Sequence, residues 1–371
     1  MSDQIASTLE IRLGAARERC DLATEWQELQ YRSDHSFFQS WGWIGTWLEE
    51  LPASFDPLCI TAWYRHELVG LGILTPATIR RHAFVKARQL HLHATGVPRH
   101  DQLTIEYNGI IADRRIAATV VRSCLDHLRV AYGQWDELCI PGVSGDWLAL
   151  AVSAGGLVVS EKCSPCHYVD MRRLADRQYL STLSRQTRHQ IRRSLRLYGD
   201  PTLQFAGDLD EAASIWTDLK ALHQTYWQGR GQPGAFANPS FEGFHDRLIH
   251  KRFKSGEIQL VRVGDTNKTI SCLYNFVYHG RVYAYQSGIE VVADNRLKPG
   301  LIAHHAAVEF NRQLGHDRYD FLAGDARYKR SLSNGKEDLY WIVVQRTKPS
   351  LFIERKLREL RRLVRSARSP T

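Results

Sequence analysis

Lys298-Pro299-Gly300 is the stretch of this chain whose residue types point most directly to chemistry. It heads an apolar run, Leu301, Ala303, His304, Ala307, Val308 and Leu314, that has helical spacing. A glycine at a helix start lets an anion approach the free backbone N–H groups, and the helix dipole favours negative charge there. Arg296 and Lys298 add positive charge at the same place. Upstream, Val282, Ala284, Gln286 and Gly288 alternate with Tyr283, Tyr285, Ser287 and Ile289, the pattern of a strand lined by aromatics. Strand, turn and helix together read as a pyrophosphate-binding turn. Its candidate contacts are Gln286, Ser287, Asn295, Arg296, Lys298, Pro299, Gly300 and Leu301.

A second cationic element lies between Leu183 and Gly199. Leu183, Thr187, Ile191, Leu195 and Tyr198 share one side of a helical wheel, and Arg185, Arg188, His189, Arg192, Arg193 and Arg196 the other. Ser184 is placed to cap this helix and Gly199 to end it. No acid is interleaved, so the arginines repel one another unless an anion is near; an anion contact and a solvated face both fit. Cys163-Ser164-Pro165-Cys166-His167 matches C-x-x-C-H, but no second cysteine pair completes a zinc site, and the cysteines read as structural. His91, His93 and His100 near Asp101 lack a fixed third-ligand spacing, so no metal is expected.

Composition bounds the rest. The 371 residues are 43% hydrophobic and 24% charged, enough for two globular domains. Seven scattered cysteines suit reduced thiols better than a disulfide framework. The first residues show neither a basic n-region nor an apolar h-region, and no run reaches the ~18 apolar residues of a spanning helix. A cytoplasmic location is therefore expected, with peripheral contact to the inner membrane face as an option. The net charge of +9 is concentrated in Ser184–Gly199 and in 351–371, each at +5. That opposes a general nucleic-acid coat, and no DNA partner is expected.

Strands are expected at Leu9–Leu13, Leu58–Tyr64, Leu68–Leu74, Gln89–His93, Gln102–Ile111, Glu137–Pro141, Leu157–Met171, Leu203–Ala206, Gln259–Val263, Thr269–Tyr278 and Asp338–Arg346. Helices are expected from Asp21, from Ser40 (burying Trp43, Trp47 and Leu51), and over Arg114–Tyr132, Gly145–Ser153, Leu209–Trp227, Phe241–Phe253 and Leu351–Ser366. The last would carry Ile353, Leu357, Leu360 and Val364 on its apolar face. The hairpins at 58–74 and 259–278 sit in similar surroundings, helices before and strand then helix after, which suggests two copies of one α/β unit. Only the second carries the Lys-Pro-Gly turn.

Four segments resemble the GNAT acyltransferase superfamily, in particular its cellulose-biosynthesis-associated CelD/BcsL-type acetyltransferases. They are Phe37-Phe38-Gln39-Ser40-Trp41, Leu183-Ser184-Arg185-Gln186-Thr187-Arg188, Lys298-Pro299-Gly300 and Tyr319-Asp320-Phe321-Leu322-Ala323-Gly324-Asp325-Ala326-Arg327-Tyr328-Lys329. The resemblance implies an α/β fold of tandem GNAT-like mixed sheets with flanking helices. It implies an N-terminal unit over 1–172 for structure or acceptor binding, a C-terminal unit over 173–349 with the donor site, and a basic helix over 350–371. Acetyl-CoA or another acyl-CoA is the implied co-substrate, without a metal. Fem-type peptidoglycan aminoacyltransferases share this layout and take aminoacyl-tRNA instead. The phosphate loop departs from the usual GNAT pattern, having one glycine after a proline.

Thioester chemistry needs an aligned nucleophile, a base and a partner for the carbonyl oxygen. In this reading Asp325 is the general base, Tyr285 protonates the leaving thiolate, and backbone N–H groups near Tyr285–Gly288 hold the oxyanion. Lys329 neutralises charge. Arg188, Arg192, Tyr328 and Trp227, the last beside the Gly229–Pro239 loop, are the candidate acceptor contacts. The acceptor would be an amine or hydroxyl of a small molecule or exopolysaccharide precursor. A rival motif, His304-His305-Ala306-Ala307-Val308-Glu309, resembles the His-His-x-x-x-Asp-Gly signature of condensation enzymes, but it lies in an apparent helix and lacks Asp-Gly. A non-catalytic alternative uses the two basic helices to hold an anionic polymer or membrane surface.

Overall fold

The structure, a computed structural model, describes residues 6, 8–81, 85–153, 157–174, 178–264 and 268–357. The chain divides into two compact units. One takes the residues up to Trp41, Leu51–Cys163 and those from Tyr340 on; the other takes Gly42–Glu50 and Ser164–Leu339. Boundaries after residues 172 and 349 were expected; the chain passes between units at 163/164 and returns at 339/340, with Gly42–Glu50 as a further insertion.

In the first unit, β1 (Leu9–Ala15), β2 (Leu58–Tyr64), β3 (Glu67–Arg81) and β4 (Val85–Leu92) form an antiparallel meander. β5 (Ile111–Ala112) pairs with β3, and β6 (Glu137–Ser144) runs parallel to β4. Helices α1 (Leu22–Arg32), α3 (Ala117–Val130) and α4 (Gly145–Ser153) flank this sheet. The core gathers the inward residues of strands and helix, among them Ile60, Val69, Leu90, Val120, Cys124, Leu128 and Leu138. The strand expected over Gln102–Ile111 does not form. Thr104 and Tyr107 adopt left-handed conformations, which interrupt an extended ladder, and pairing is confined to Ile111–Ala112. His91 Nε2 meets Gln89 Oε1 at 3.0 Å and His93 Nδ1 meets Asn108 Oδ1 at 2.7 Å.

The C-terminal basic helix is described only to 357, and Leu360 and Val364 lie outside the described residues. Its inward face differs from the expected one. Leu351 packs on Val85 and Ala87, and Glu354 is buried in an ion pair with Arg81 at 3.0 Å, while Ile353 and Leu357 are exposed. A carboxylate with a fixed counter-ion thus occupies a position that periodicity assigns to the polar face.

The second unit is a mixed sheet in the order β7-β12-β11-β10-β9-β8. Here β7 is Leu157–Asp170, whose last residues belong to this unit, and β8 is Thr202–Phe205. β9 (Ile258–Gly264), β10 (Thr269–Tyr278) and β11 (Arg281–Ile289) follow as an antiparallel run. β12 (Arg318–Ala323) lies parallel to β11 and antiparallel to β7. The turn at Asp265–Asn267 lies outside the described residues. β13 (Gly335–Gln345) contributes residues to both units. Around this sheet stand α2 (Trp41–Glu50), α5 (Tyr179–Thr182), α6 (Arg185–Tyr198), α7 (Leu209–Gln228), α8 (Pro239–Arg252), α9 (Pro299–Gln313) and α10 (Arg327–Leu332). α6 forms as its wheel requires: Ser184 Oγ accepts the Thr187 N–H, Thr187 and Ile191 are buried, and Gly199 closes it at φ 71°. Trp43 of α2 is buried edge-on against Phe244 and Phe276. The α/β class, mixed sheets with flanking helices, is the one expected.

Candidate active site

The site begins with two strands that part. β11 and β12 pair only over Arg281–Tyr283 and Arg318–Asp320. Beyond that each strand turns for its own reason. On β11, Gln286 faces Tyr274 while Ala284 faces Asn275, which leaves Tyr285 as the extra residue of a β-bulge. On β12, Leu322 takes a left-handed φ of 61°, its N–H held by Asp320 Oδ1 at 2.8 Å. Lys329 Nζ then donates to the Leu322 and Ala323 carbonyls at 3.1 and 2.7 Å. The edge of β11 from Ala284 onward is therefore without a partner from β12. A cleft opens at the carboxyl ends of two parallel strands, where ligands bind in α/β sheets.

α9 starts at the mouth of that cleft. Its Lys298 N–H donates to Ser194 Oγ of α6 at 2.8 Å, which fixes the helix start against a neighbour. A cavity of about 760 Å³ forms here. It takes Gln286 and Ser287 from β11, and Asn295, Lys298, Pro299, Gly300 and Leu301 from the turn. Trp227, from the end of α7, and Tyr328 of α10 also line it. Nine of the sequence candidates thus converge. An adjoining cavity of about 510 Å³ shares Lys298, Leu301 and Tyr328 and is bounded by Gln186 and Gln190 of α6 and by Arg327 and Arg330.

Other candidates stand elsewhere. Tyr285 turns with the bulge into an aromatic cluster, 4.8 Å from Phe276, 4.9 Å from His245 and 5.8 Å from Trp43, and does not line the cavity. Asp325 also lies outside it, half exposed. Arg330 at 2.5 Å and His167 Nε2 at 3.1 Å hold its carboxyl below the usual carboxylate range, which weakens it as a base. Lys329 is buried on its two carbonyls. Arg296 is exposed and bound to Asp294, whose carboxyl it lowers to about 2. Arg188 caps the carbonyls of Ser181 and Leu183, and Arg192 is exposed.

Among the other lining residues are His223 and Tyr226, which the sequence did not single out, and His304, named there only in the helical run and the rival motif. The first two share a face of α7 with Trp227 by i, i+3 and i, i+4 spacing, a signal that core periodicity masked. His304 follows Gly300 by one helical turn and stacks on Tyr328 at 5.3 Å. Burial lowers the pKa of His223, so its imidazole is neutral near pH 7 and can accept a proton. Burial, and secondarily the Lys329 charge, press His304 down to about 3. Burial, then Tyr226, pushes the Tyr328 phenol up to about 12, so it stays a proton donor at working pH.

At the helix start the donor set is sparse. Pro299 brings no N–H, and the Leu301 and Ile302 amides return to the Lys298 carbonyl at 3.1 and 3.2 Å. Gly300 carries the remaining amide of the first turn. A Cβ added there would meet Ile289 at an ordinary 3.6 Å, so small groups fit.

Residues 185–330 match the acetyltransferase (GNAT) domain family. No curated protein matches the chain. Among solved structures, FemX is similar at 11% identity with a TM-score of 0.59, over 86% of this chain and 96% of that one. L-PGS from Bacillus licheniformis is similar at 9% identity with a TM-score of 0.52, over 90% and 96%. The segment 185–330 is a GNAT-type acetyltransferase domain, and the protein is an acyltransferase.

Proposed function

We propose that the second unit transfers an acyl group from an acyl-CoA thioester to an amine or hydroxyl, with the thioester held where β11 and β12 part. The observation that carries this reading is the cavity itself. It joins the edge of β11 beyond its pairing with β12, the Lys298–Gly300 helix start and Tyr328 in one space. A carbonyl oxygen on which charge develops lies along the edge of β11 beyond its pairing with β12, where backbone N–H groups meet it. Lys298 and the Gly300 amide face the pyrophosphate. Tyr328 protonates the departing thiolate, taking the role the sequence assigned to Tyr285. His223, neutral and in the cavity, accepts the proton of the attacking group in place of Asp325. Asp325 and Lys329 then support the loop and the strand kink. The acceptor is an amine or hydroxyl compound, and a saccharide acceptor of the CelD/BcsL type is the finer form of this reading.

The sparse amide set at the helix start, with the acid-free arginine face of α6, favours one second reading: an aminoacyl-tRNA donor, as in the Fem-type resemblance. Calorimetry separates the two. Wild-type protein binds acetyl-CoA, and Gly300→Glu, which sets a carboxylate against the pyrophosphate, lowers affinity at least about tenfold. Equal affinity in both proteins overturns the acyl-CoA reading. Strongly salt-dependent binding of tRNA without CoA affinity supports the second.

A further inference from the structure

Under α9 the second unit holds a file of buried polar side chains that none of the roles above uses. It runs Asn311, Gln259, Asn275, Tyr319, His304, with Gln259 half-buried. Asn275, Asn311 and Tyr319 are fully buried, and His304 nearly so. The backbone anchors it. Asn311 Nδ2 donates to the Ala307 carbonyl at 2.8 Å, and a carbonyl can only accept, so the orientation of this amide is settled. Asn311 and Gln259 then exchange reciprocal hydrogen bonds of 3.0 Å, which leaves Gln259 Oε1 as an acceptor toward its other neighbour. Asn275 supplies Nδ2 to it at 3.0 Å. Burial, then Tyr328, raises the pKa of the Tyr319 phenol, and Asn275 beside it acts in the lowering sense.

The proton of Tyr319 is directed by the partner of its hydroxyl. A buried hydroxyl needs an acceptor, and its partner at 3.1 Å is His304 Nδ1. With Nδ1 accepting, a neutral imidazole carries its proton on Nε2. The His304 ring lines the cavity, so Nε2 is the nitrogen left for a ligand. We propose that Tyr319 is a positioning residue that holds His304 as the Nε2–H tautomer, and that this N–H donates to a carbonyl oxygen of the bound acyl donor. The ligand half of this inference rests on the acyl-CoA reading; the tautomer half does not. The low basicity of His304 suits the role, because an imidazole that does not protonate remains a fixed neutral donor.

Nitrogen-15 spectra of the histidine-labelled full chain test it, with the His304 signals identified by their loss in His304→Gln. The expected result for the free protein is an unprotonated Nδ1 and a protonated Nε2, with Tyr319→Phe moving the ring toward a mixture of tautomers. A protonated Nδ1 in wild type overturns the proposal without recourse to any variant, and an unmoved tautomer in a folded Tyr319→Phe overturns the positioning role. Adding acetyl-CoA and CoA separately distinguishes two carbonyl sources. A shift of the Nε2–H with both points to a pantetheine amide, a shift with acetyl-CoA alone points to the acyl carbonyl, and binding of both without any shift overturns the ligand contact. In turnover, His304→Leu lowers kcat/KM at least about tenfold, while His304→Gln, which keeps a donor near the Nε2 position, stays within about threefold. Leucine at wild-type rate overturns the contact. If wild type binds no CoA compound, the acyl-CoA reading and the ligand contact fail, while the tautomer in the free protein still decides the positioning role.

Discussion

Asp325 and Tyr328 lie three positions apart and have opposite fates. Both were legible as polar residues after a strand, and their types alone made the carboxylate the better base. The tertiary partners change the roles the proposal gives them: His223 takes the base role from Asp325, and Tyr328 acts as an acid. Arg330 and His167 stabilise the charged form of Asp325, and a carboxylate so held takes up a proton poorly. Tyr328 sits where the two cavities meet, with its proton retained by burial. Tyr328→Phe is expected to lower kcat by roughly 10²–10³ with little change in acetyl-CoA affinity, since a general acid acts in the transition state and not in ground-state binding. Asp325→Asn is expected to keep kcat within about threefold. Steady-state turnover of the two variants checks both, and the reverse order returns the chemistry to Asp325.

Among the elements, the cleft depends on how closely α7 lies on β11. Gly288 is what permits this. A Cβ there would stand 2.5 Å from the Leu219 carbonyl oxygen and 2.9 Å from its Cα, both backbone atoms that cannot rotate away. Gly288→Ala is therefore expected to push α7 off the strand and to cost about 1–3 kcal/mol, the range for overpacking. A denaturant titration measures it; an unchanged midpoint means the helix can shift freely. The alternation along Val282–Ile289 identified this strand, yet it could not locate the bulge at Tyr285. A bulge is a mismatch between two strands, visible only when β10 is laid beside β11. α6 is the contrary case: its cap, stop and buried stripe are local, and all were legible.

Across the whole molecule, buried histidines couple folding to pH. Burial depresses His93 to about 4, and His245 and His304 to about 3. Unfolded, each titrates near 6.5, so below that pH the unfolded chain binds more protons than the folded one. Stability is thus fully present above about pH 6.5 and declines on acidification toward 4, by at most about 1.4 kcal/mol per pH unit for each histidine. Urea midpoints at pH 7 and pH 5 check the sign, and His245→Phe is expected to reduce the loss. A flat profile shows that these rings are not sealed when folded. No helix among the described residues is long and apolar enough to cross a membrane. The sequence by itself determined the α/β class, most element positions and the helix start at Lys298–Gly300. Those follow from periodicity, capping and turn chemistry, which act within a few residues of the chain. Only the tertiary structure decided which side chains share the cavity, that Tyr285 and Asp325 stand outside it, and that His223 and His304 line it. Such facts depend on burial and on partners far away in sequence, and no local pattern records them.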